Sequence, residues 1–158
     1  MPDLLVKLYE LPALEPVLAR QQIAGVEVRR ALAPEKHIVS AWVRDQFEAG
    51  WASECEAAYA NQPVSCFVAV EAGRLIGFAC YDATCKGFFG PTGVDESCRG
   101  RGIGKTLLLV CLHAMRWTGY GYAIIGAAGP VEFYADAVGA VVIEDSWPGV
   151  YRGLLSGE

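Results

Sequence analysis

The segment from Val94 to Thr106 constrains this chain more than any other, because it joins a β-rich run directly to a long amphipathic run. It carries three glycines and three cations close together, in the order Arg99, Gly100, Arg101, Gly102, Gly104 and Lys105. A helix that begins there presents unpaired N–H groups and the positive end of its dipole. Glycines let such a turn approach a ligand closely. The segment therefore predicts a phosphate-binding loop at a helix N-terminus.

Two well-known phosphate motifs are similar to this segment but do not fit it. Gly104-Lys105-Thr106 matches the end of a Walker A loop, yet Arg99 stands where the first glycine of that loop is required. A dinucleotide-binding fingerprint would need its third glycine at Lys105, and the preceding strand follows a hairpin instead of opening a βαβ unit. With both interpretations excluded, a shorter loop of the type R-x-x-G-x-G remains.

The periodicity of apolar residues predicts strands and helices along the whole chain. Strands are predicted at residues 4–9, 26–32, 66–70, 75–81, 88–94, 122–126 and 141–144, with a last strand at 150–152. Helices are predicted at residues 14–22, 34–50, 53–59, 102–117 and 130–138, the third of them opened by a capping box at Ser53 and Glu56. Glycine and proline inside the strand at 88–94 indicate a bulge or a splayed edge. The order predicts an α/β protein with a mixed sheet, and the lack of repeats or linkers predicts one domain, residues 1–158.

Composition argues against several classes of partner. The formal net charge of -5 argues against nucleic acid, because binding to nucleic acid depends on Lys and Arg neutralising phosphates. No apolar run approaches the roughly 20 residues that a membrane helix needs, so no membrane partner is expected. The start of the chain, Met1-Pro2-Asp3-Leu4, lacks the features of an export signal. A cytoplasmic protein is expected because the cysteines fit the pattern of reduced thiols.

The six cysteines are predicted to be reduced thiols inside the core, because most of them fall within apolar strand or helix patterns. No C-x-x-C pair is present and the chain has only two histidines, so no metal site is predicted.

The loop also carries a family resemblance. The stretch resembles the V-x-P-x-x-R-G-x-G-I-G pattern of the GNAT superfamily of N-acetyltransferases, matched at Val94, Arg99, Gly100, Gly102, Ile103 and Gly104. Glu96 stands where proline is usual in that pattern. The resemblance spans about residues 26–152 as a core and leaves residues 1–25 as an N-terminal extension. It implies a mostly antiparallel central sheet of about six to seven strands with helices on both faces.

In that family the loop and helix start hold the pyrophosphate of acetyl-coenzyme A, the acetyl donor. Carried over, the resemblance implies cofactor contacts from residues of the loop and of the strand before it: Gly93, Val94, Arg99, Gly100, Arg101, Gly102, Ile103, Gly104 and Lys105. The strand is expected to run beside the pantetheine arm, with Gly93 or Val94 aiming an N–H at the thioester oxygen.

A second resemblance lies in the late helix, where the family pattern is F-Y-x-x-x-G-F. Phe133 and Tyr134 match its start, but one extra residue precedes Gly139 and Ala127 replaces an asparagine that is usual upstream. The resemblance implies that Tyr134 contacts the cofactor and protonates the departing thiolate. Three carboxylates that follow strands are candidates for the base that deprotonates the amine: Asp82, Asp95 and Glu96.

The expected activity is transfer of an acetyl group from acetyl-coenzyme A to a primary amine, by direct attack within a ternary complex. The acceptor is expected to be a small molecule. A non-catalytic acyl-coenzyme A-binding module and an acetyltransferase acting on a protein or peptide remain alternatives. A homodimer is possible if the strand at residues 4–9 pairs with a second copy.

Overall fold

A computed structural model describes residues 1–157 and has a seven-stranded mixed sheet with helices on both faces. The strands are β1 Leu4–Lys7, β2 Val26–Arg30, β3 Cys66–Glu71, β4 Arg74–Tyr81, β5 Phe88–Val94, β6 Tyr122–Ile125 and β7 Val141–Val142. Their order across the sheet is β2-β3-β4-β5-β6-β1-β7. Only β5 and β6 pair in parallel, so the predicted α/β class with a mostly antiparallel sheet is confirmed.

Five α-helices cover the sheet: α1 Glu15–Ile23, α2 Lys36–Gln46, α3 Ala49–Tyr59, α4 Ile103–Trp117 and α5 Val131–Val138. Side chains alternate between two cores along the central strands, as a period of two requires. Phe67 and Ala69 of β3 face the core that contains α4, whereas Cys66 and Val68 face the core under α2 and α3. Among the residues described, no helix combines the length and the apolar character needed to cross a membrane.

The N-terminal strand lies inside the sheet. β1 pairs with β6 from Leu4↔Ile125 to Lys7↔Tyr122, and on its other side with β7. The strand therefore pairs within its own chain and is not left over for pairing with a second copy. A single 3-10 turn, Leu8–Glu10, occupies the end of the predicted strand.

Several predicted boundaries differ from the structure for local reasons. The capping box at Ser53 was wrong, because α3 begins at Ala49 and the Ser53 hydroxyl donates back to the Ala49 carbonyl oxygen at 3.2 Å. The strand predicted at 150–152 was also wrong, because that segment belongs to a 3-10 turn, Gly149–Tyr151. β7 is only two residues long, and Ile143 leaves it while its N–H donates to the Asp3 carbonyl oxygen at 2.9 Å.

Candidate functional site

The neighbouring strands β5 and β6 separate after a short paired stretch. They pair at Phe88↔Ile124 and Phe89↔Ile125, where β6 ends. β5 continues to Val94 and over that length pairs only with β4. The second half of β5 therefore has a free edge that faces a gap in the sheet, as the glycines and the proline in this strand indicated.

The loop after β5 lies at the opening of this gap. Gly100 and Gly102 both have φ of +79°, a left-handed conformation that favours glycine, and Gly102 is the N-cap of α4. The first hydrogen bond of the helix runs from the Thr106 N–H to the Gly102 carbonyl oxygen at 3.1 Å. The N–H groups of the three residues between them are consequently not used by the helix.

A cleft of about 560 Å³ occupies the gap. Of the predicted cofactor contacts, Arg101 alone is absent from the cleft wall, which includes Gly93, Val94, Arg99, Gly100, Gly102, Ile103, Gly104, Lys105 and Tyr134. Two aromatic side chains of the α2–α3 layer, Phe47 and Trp51, close one side with their rings 5.1 Å apart. The fold therefore brings together a glycine loop, two cations and a free strand edge around one cavity.

Backbone direction identifies which β5 donor faces the cleft. The Asp95 N–H donates to the Ile76 carbonyl oxygen of β4 at 2.8 Å. Because backbone groups of successive strand residues point to opposite sides, the Val94 N–H faces away from β4 and towards the gap. The Val94 carbonyl oxygen, on the same side, accepts from the Arg99 Nε at 3.3 Å. Of the two donors that the resemblance implied, Val94 is thus the one with suitable direction, and Gly93 points at β4.

Arg101 has a supporting position. Its guanidinium forms two hydrogen bonds with the Glu71 carboxylate, at 2.5 and 3.3 Å, and the side chain is therefore held on β3. Its carbonyl oxygen accepts from the Gln21 Nε2 at 2.8 Å, and Gln21 is a buried residue of α1. The Arg101 side chain thus pairs with Glu71 and lies off the cleft wall, and its predicted contact with the cofactor stays a prediction.

Tyr134 lies on α5 at the wall opposite β5. Its side chain is buried, with 7% exposed, and packs edge-on against Phe133 at 5.0 Å. Burial alone raises the pKa of the Tyr134 hydroxyl, so this group keeps its proton at neutral pH. The extra residue before Gly139 is accommodated inside α5, which ends at Gly139 with φ of +68°.

The three carboxylates predicted as bases are not on the cleft wall. Asp82 accepts from the Gly87 N–H at 2.7 Å and from the Tyr120 hydroxyl at 3.1 Å, so it holds the turn between β4 and β5. Asp95 caps the turn Glu96–Cys98 by accepting from Ser97, and these hydrogen bonds lower its pKa. Glu96 is exposed. Two of the three therefore have structural hydrogen bonds of their own, and the assignment of any of them as the base stays a prediction.

A different carboxylate lies beside the point where β5 and β6 part. Glu54 is half-buried on α3, one turn after Trp51 of the cleft wall, and accepts a hydrogen bond from the Thr84 hydroxyl. Burial raises the pKa of Glu54 against the opposing effect of the Thr84 hydrogen bond. Glu54 also raises the pKa of Tyr151 through its negative charge, after the larger effect of burial. From the sequence, Glu54 and Glu48 are expected only near an aromatic acceptor pocket, and nothing in the α3 pattern singles out Glu54 as a base.

Tyr151 reaches the same point from the C-terminal part of the chain. A Cβ built on Gly126, the residue directly after β6, would lie 2.5 Å from the Tyr151 hydroxyl oxygen and 3.0 Å from the Phe88 ring. Tyr151 stacks at 6.2 Å on Trp147, which is 56% exposed. An acidic and aromatic surface, defined here as Glu54, Thr84, Phe88, Trp147 and Tyr151, therefore borders the strand divergence.

The N-terminus supplies a further contact that the sequence analysis missed. The Asp3 Oδ1 accepts from the Ala127 N–H at 2.8 Å, and Ala127 has φ of +46°. Ala127 stands where the family pattern has asparagine, and Asp3 satisfies the backbone there from the other end of the chain. No local signal could have identified this pair, because 124 residues separate them.

In this mixed sheet the two parallel strands separate, and a helix with a glycine N-cap begins at the opening between them. This arrangement is typical of a transferase whose donor substrate binds in the gap, along the free strand edge. The sequence profile described as the acetyltransferase (GNAT) family matches residues 36–139, about two-thirds of the chain. The chain belongs to this acetyltransferase family.

Solved structures share the fold at low sequence identity. A GCN5-related glucosamine N-acetyltransferase region in a fungal multi-domain GH3 β-N-acetylglucosaminidase superimposes with a TM-score of 0.73 and 17% identity, covering 90% of this chain and 19% of that one. A GCN5-related N-acetyltransferase from Sphaerobacter thermophilus gives 0.66 and 21%, covering 90% and 48%. A GCN5-related N-acetyltransferase from Kribbella flavida gives 0.60 and 20%, covering 89% and 53%.

These likenesses establish the fold alone. The chain spans about half or less of the length of these three solved proteins. No curated protein matches the chain.

Proposed function

We propose that this chain is an acetyl-coenzyme A-dependent N-acetyltransferase that transfers the acetyl group to a primary amine of a small molecule. The observation that carries the proposal is the unpaired first turn of α4, which opens into the cleft beside Arg99 and Lys105. Free N–H groups, the helix dipole and two cations together favour a diphosphate there. The acetyl donor of the family has such a diphosphate.

The cleft offers matching partners for the rest of the donor. The free edge of β5 pairs with the amides of a pantetheine arm as a further strand would, and the Val94 N–H donates along this edge. A donor aimed at the developing oxyanion contributes about 3 kcal/mol to transition-state stabilisation. Tyr134, on the opposite wall, donates its proton to the departing thiolate, because burial raises its pKa and the hydroxyl stays protonated.

The acceptor amine approaches from the acidic and aromatic surface. An ammonium ion is attracted by the Glu54 carboxylate and by the exposed Trp147 face. Glu54 then takes the proton that the amine must lose before it attacks the thioester carbonyl carbon. The raised pKa of Glu54 makes its carboxylate a stronger base than an exposed glutamate. The attack, the collapse of the intermediate and the protonation of the thiolate by Tyr134 follow within one ternary complex.

Substitution at Gly104 tests the phosphate site. A Cβ at Gly104 would meet only the Val94 Cγ2, at 3.8 Å, so a larger side chain fits there. Aspartate in the first turn of a helix stabilises the helix but repels a diphosphate. We therefore expect Gly104→Asp to keep or raise the melting temperature and to weaken acetyl-coenzyme A binding at least 100-fold in calorimetry.

Gly104→Asn is the matched control, since it has the same size without the charge, and we expect it to bind more tightly than the aspartate variant. Equal affinity of wild type and Gly104→Asp would overturn the phosphate site. Tight binding without any thiol release across a panel of amines would favour the non-catalytic module over the enzyme, and acetylation of peptides alone would favour a protein acceptor.

A further inference from the structure

Three thiols from different elements meet in the core under α2 and α3. They belong to Cys55 of α3, Cys66 of β3 and Cys80 of β4, and all three residues are fully buried. Their sulfur atoms lie within 4.8 Å of one another. Cys66 and Cys80 are direct cross-strand partners, and α3 places Cys55 over them. The sequence predicts no metal site because it has no C-x-x-C pair and only two histidines, whereas the β3–β4 pairing brings together cysteines that are distant in the chain.

The spacing of the sulfurs suits one ion. A triangle with sides of 4.8 Å or less has a point within about 2.8 Å of all three corners. A zinc–thiolate bond is about 2.3 Å long. Closing the triangle around an ion therefore requires each sulfur to move by about half an ångström, which rotation of the cysteine side chains supplies without a change in the backbone.

A buried hydroxyl lies in the same core as the thiols. Tyr59 follows Cys55 by one turn of α3 and thus lies on the same face. Its side chain is 8% exposed, and its hydroxyl is buried without a hydrogen-bond partner within residues 1–157. An unsatisfied buried hydroxyl destabilises a fold, so this core contains a polar group that no other residue of 1–157 satisfies.

We propose that the thiolates of Cys55, Cys66 and Cys80 bind one divalent thiophilic ion of the zinc and cadmium type. Thiolates select such soft ions over calcium or magnesium. The surrounding core is apolar, and a charge buried there is costly. Each of the three thiols gives up its proton to solvent on binding, because the thiolate is the form that ligates, and the ion offsets two of the three negative charges. The ion ties α3, which carries Trp51 of the cleft wall, to the centre of the sheet.

Cadmium is the probe, because its bonds to sulfur give an ultraviolet charge-transfer band. The reduced full-length chain is refolded with and without cadmium chloride, and bound metal is measured after gel filtration. We expect one equivalent of cadmium, the charge-transfer band, and release of three protons per ion. Cys55→Ala should reduce the bound cadmium at least tenfold. Cys111→Ala is the matched control, since it removes a fully buried thiol of the other core, and it should bind as the wild type does.

The wild type provides a second measurement in case Cys55→Ala does not fold. In moderate denaturant, cadmium should slow the alkylation of Cys55, Cys66 and Cys80 selectively, as mapped by peptide mass spectrometry, and leave Cys85 and Cys111 unaffected. The absence of a charge-transfer band in the wild type, equal binding by Cys55→Ala, or protection spread over all six cysteines would each overturn the proposal. A Cys66–Cys80 disulfide formed in place of cadmium binding would overturn it as well.

Discussion

The hydroxyl of Tyr134 is the one group on the cleft wall that combines a transferable proton with a raised pKa. We expect Tyr134→Phe to lower kcat about 100-fold, the lower range for loss of a general acid, and to change the Kd of acetyl-coenzyme A less than twofold. Stopped-flow thiol release and calorimetry measure the two quantities. Tyr120→Phe is the control, because it removes a hydroxyl that contacts Asp82 outside the cleft. An unchanged kcat in Tyr134→Phe would assign thiolate protonation to water.

Glu54 provides a prediction in pH. Its carboxyl group has a raised pKa and acts as a base only when ionised, so the acetylation rate should rise as the pH increases through that raised pKa. Glu54→Gln keeps an acceptor for the Thr84 hydroxyl, yet we expect kcat to fall about 100-fold and the rise of the rate with pH to disappear. Glu48→Gln removes a neighbouring exposed charge. It should keep the rise of the rate and move it to lower pH, since Glu48 contributes to the raised pKa of Glu54. A profile that Glu54→Gln leaves unchanged would exclude Glu54 as the base.

At the scale of elements, α2 begins at a charged contact. Glu35, in the turn before α2, accepts two hydrogen bonds from the Arg29 guanidinium of β2, at 2.9 and 2.6 Å, and one from the Leu32 N–H at 2.7 Å. These contacts, with the Arg29 hydrogen bond the largest, lower the pKa of Glu35 from 4.5 to about 2. Because the folded-state pKa is depressed, the contact stabilises the fold above pH 4.5 and loses that effect as the pH falls towards 2.

We therefore expect Glu35→Gln to lower the free energy of unfolding at pH 7 by about 1 kcal/mol, within the range for a partly exposed, well-aligned pair. Urea titrations across the pH range should show the difference from wild type shrinking below pH 4.5. Glu27→Gln is the matched control, since Glu27 lies 3.9 Å from the Arg29 Nε and is mostly exposed, and it should change stability little at any pH. A constant difference between pH 7 and pH 2 would contradict the assignment to charge.

The element patterns predicted the fold well where one face of an element is buried. The α4 stripe and the β3–β4 hairpin lie close to their predicted bounds because their apolar periods report burial directly. The pattern at Ser53 and Glu56 misled because a serine inside a helix donates to the preceding turn as readily as it caps a start. The site residues were likewise predictable only where the sequence carries a local signal. The loop has a local signature, whereas Glu54 and Asp3 gain their places from contacts between distant parts of the chain.

At the scale of the whole molecule, β1 brings the two ends of the chain together, because it lies between β6 and β7 in the sheet. β1 is the only strand that pairs with β7 within residues 1–157, and it is also the antiparallel partner of β6 beside the strand divergence. Just before β1, Asp3 contacts the loop after β6, since its carboxylate accepts a hydrogen bond from the Ala127 N–H. Residues 1–25, which the resemblance sets apart as an extension, thus contribute an internal strand next to the sheet edge and a helix that supports the α4 loop through Gln21.

Removal of residues 1–7 should therefore destroy the cooperative fold. Leu4 and Val6 are fully buried, and each contributes about 1.5–3 kcal/mol through burial alone, against 5–15 kcal/mol for a whole domain. The deletion also leaves β7 unpaired and exposes the edge of β6. We expect thermal circular dichroism to show no sigmoidal transition. A chain that ends at Gly153 is the control, because residues 154–157 are exposed and outside any helix or strand, and it should melt as the full chain does. A cooperative transition within a few degrees of the full chain after deletion of residues 1–7 would mean that β6 and the rest of the sheet hold their positions without β1.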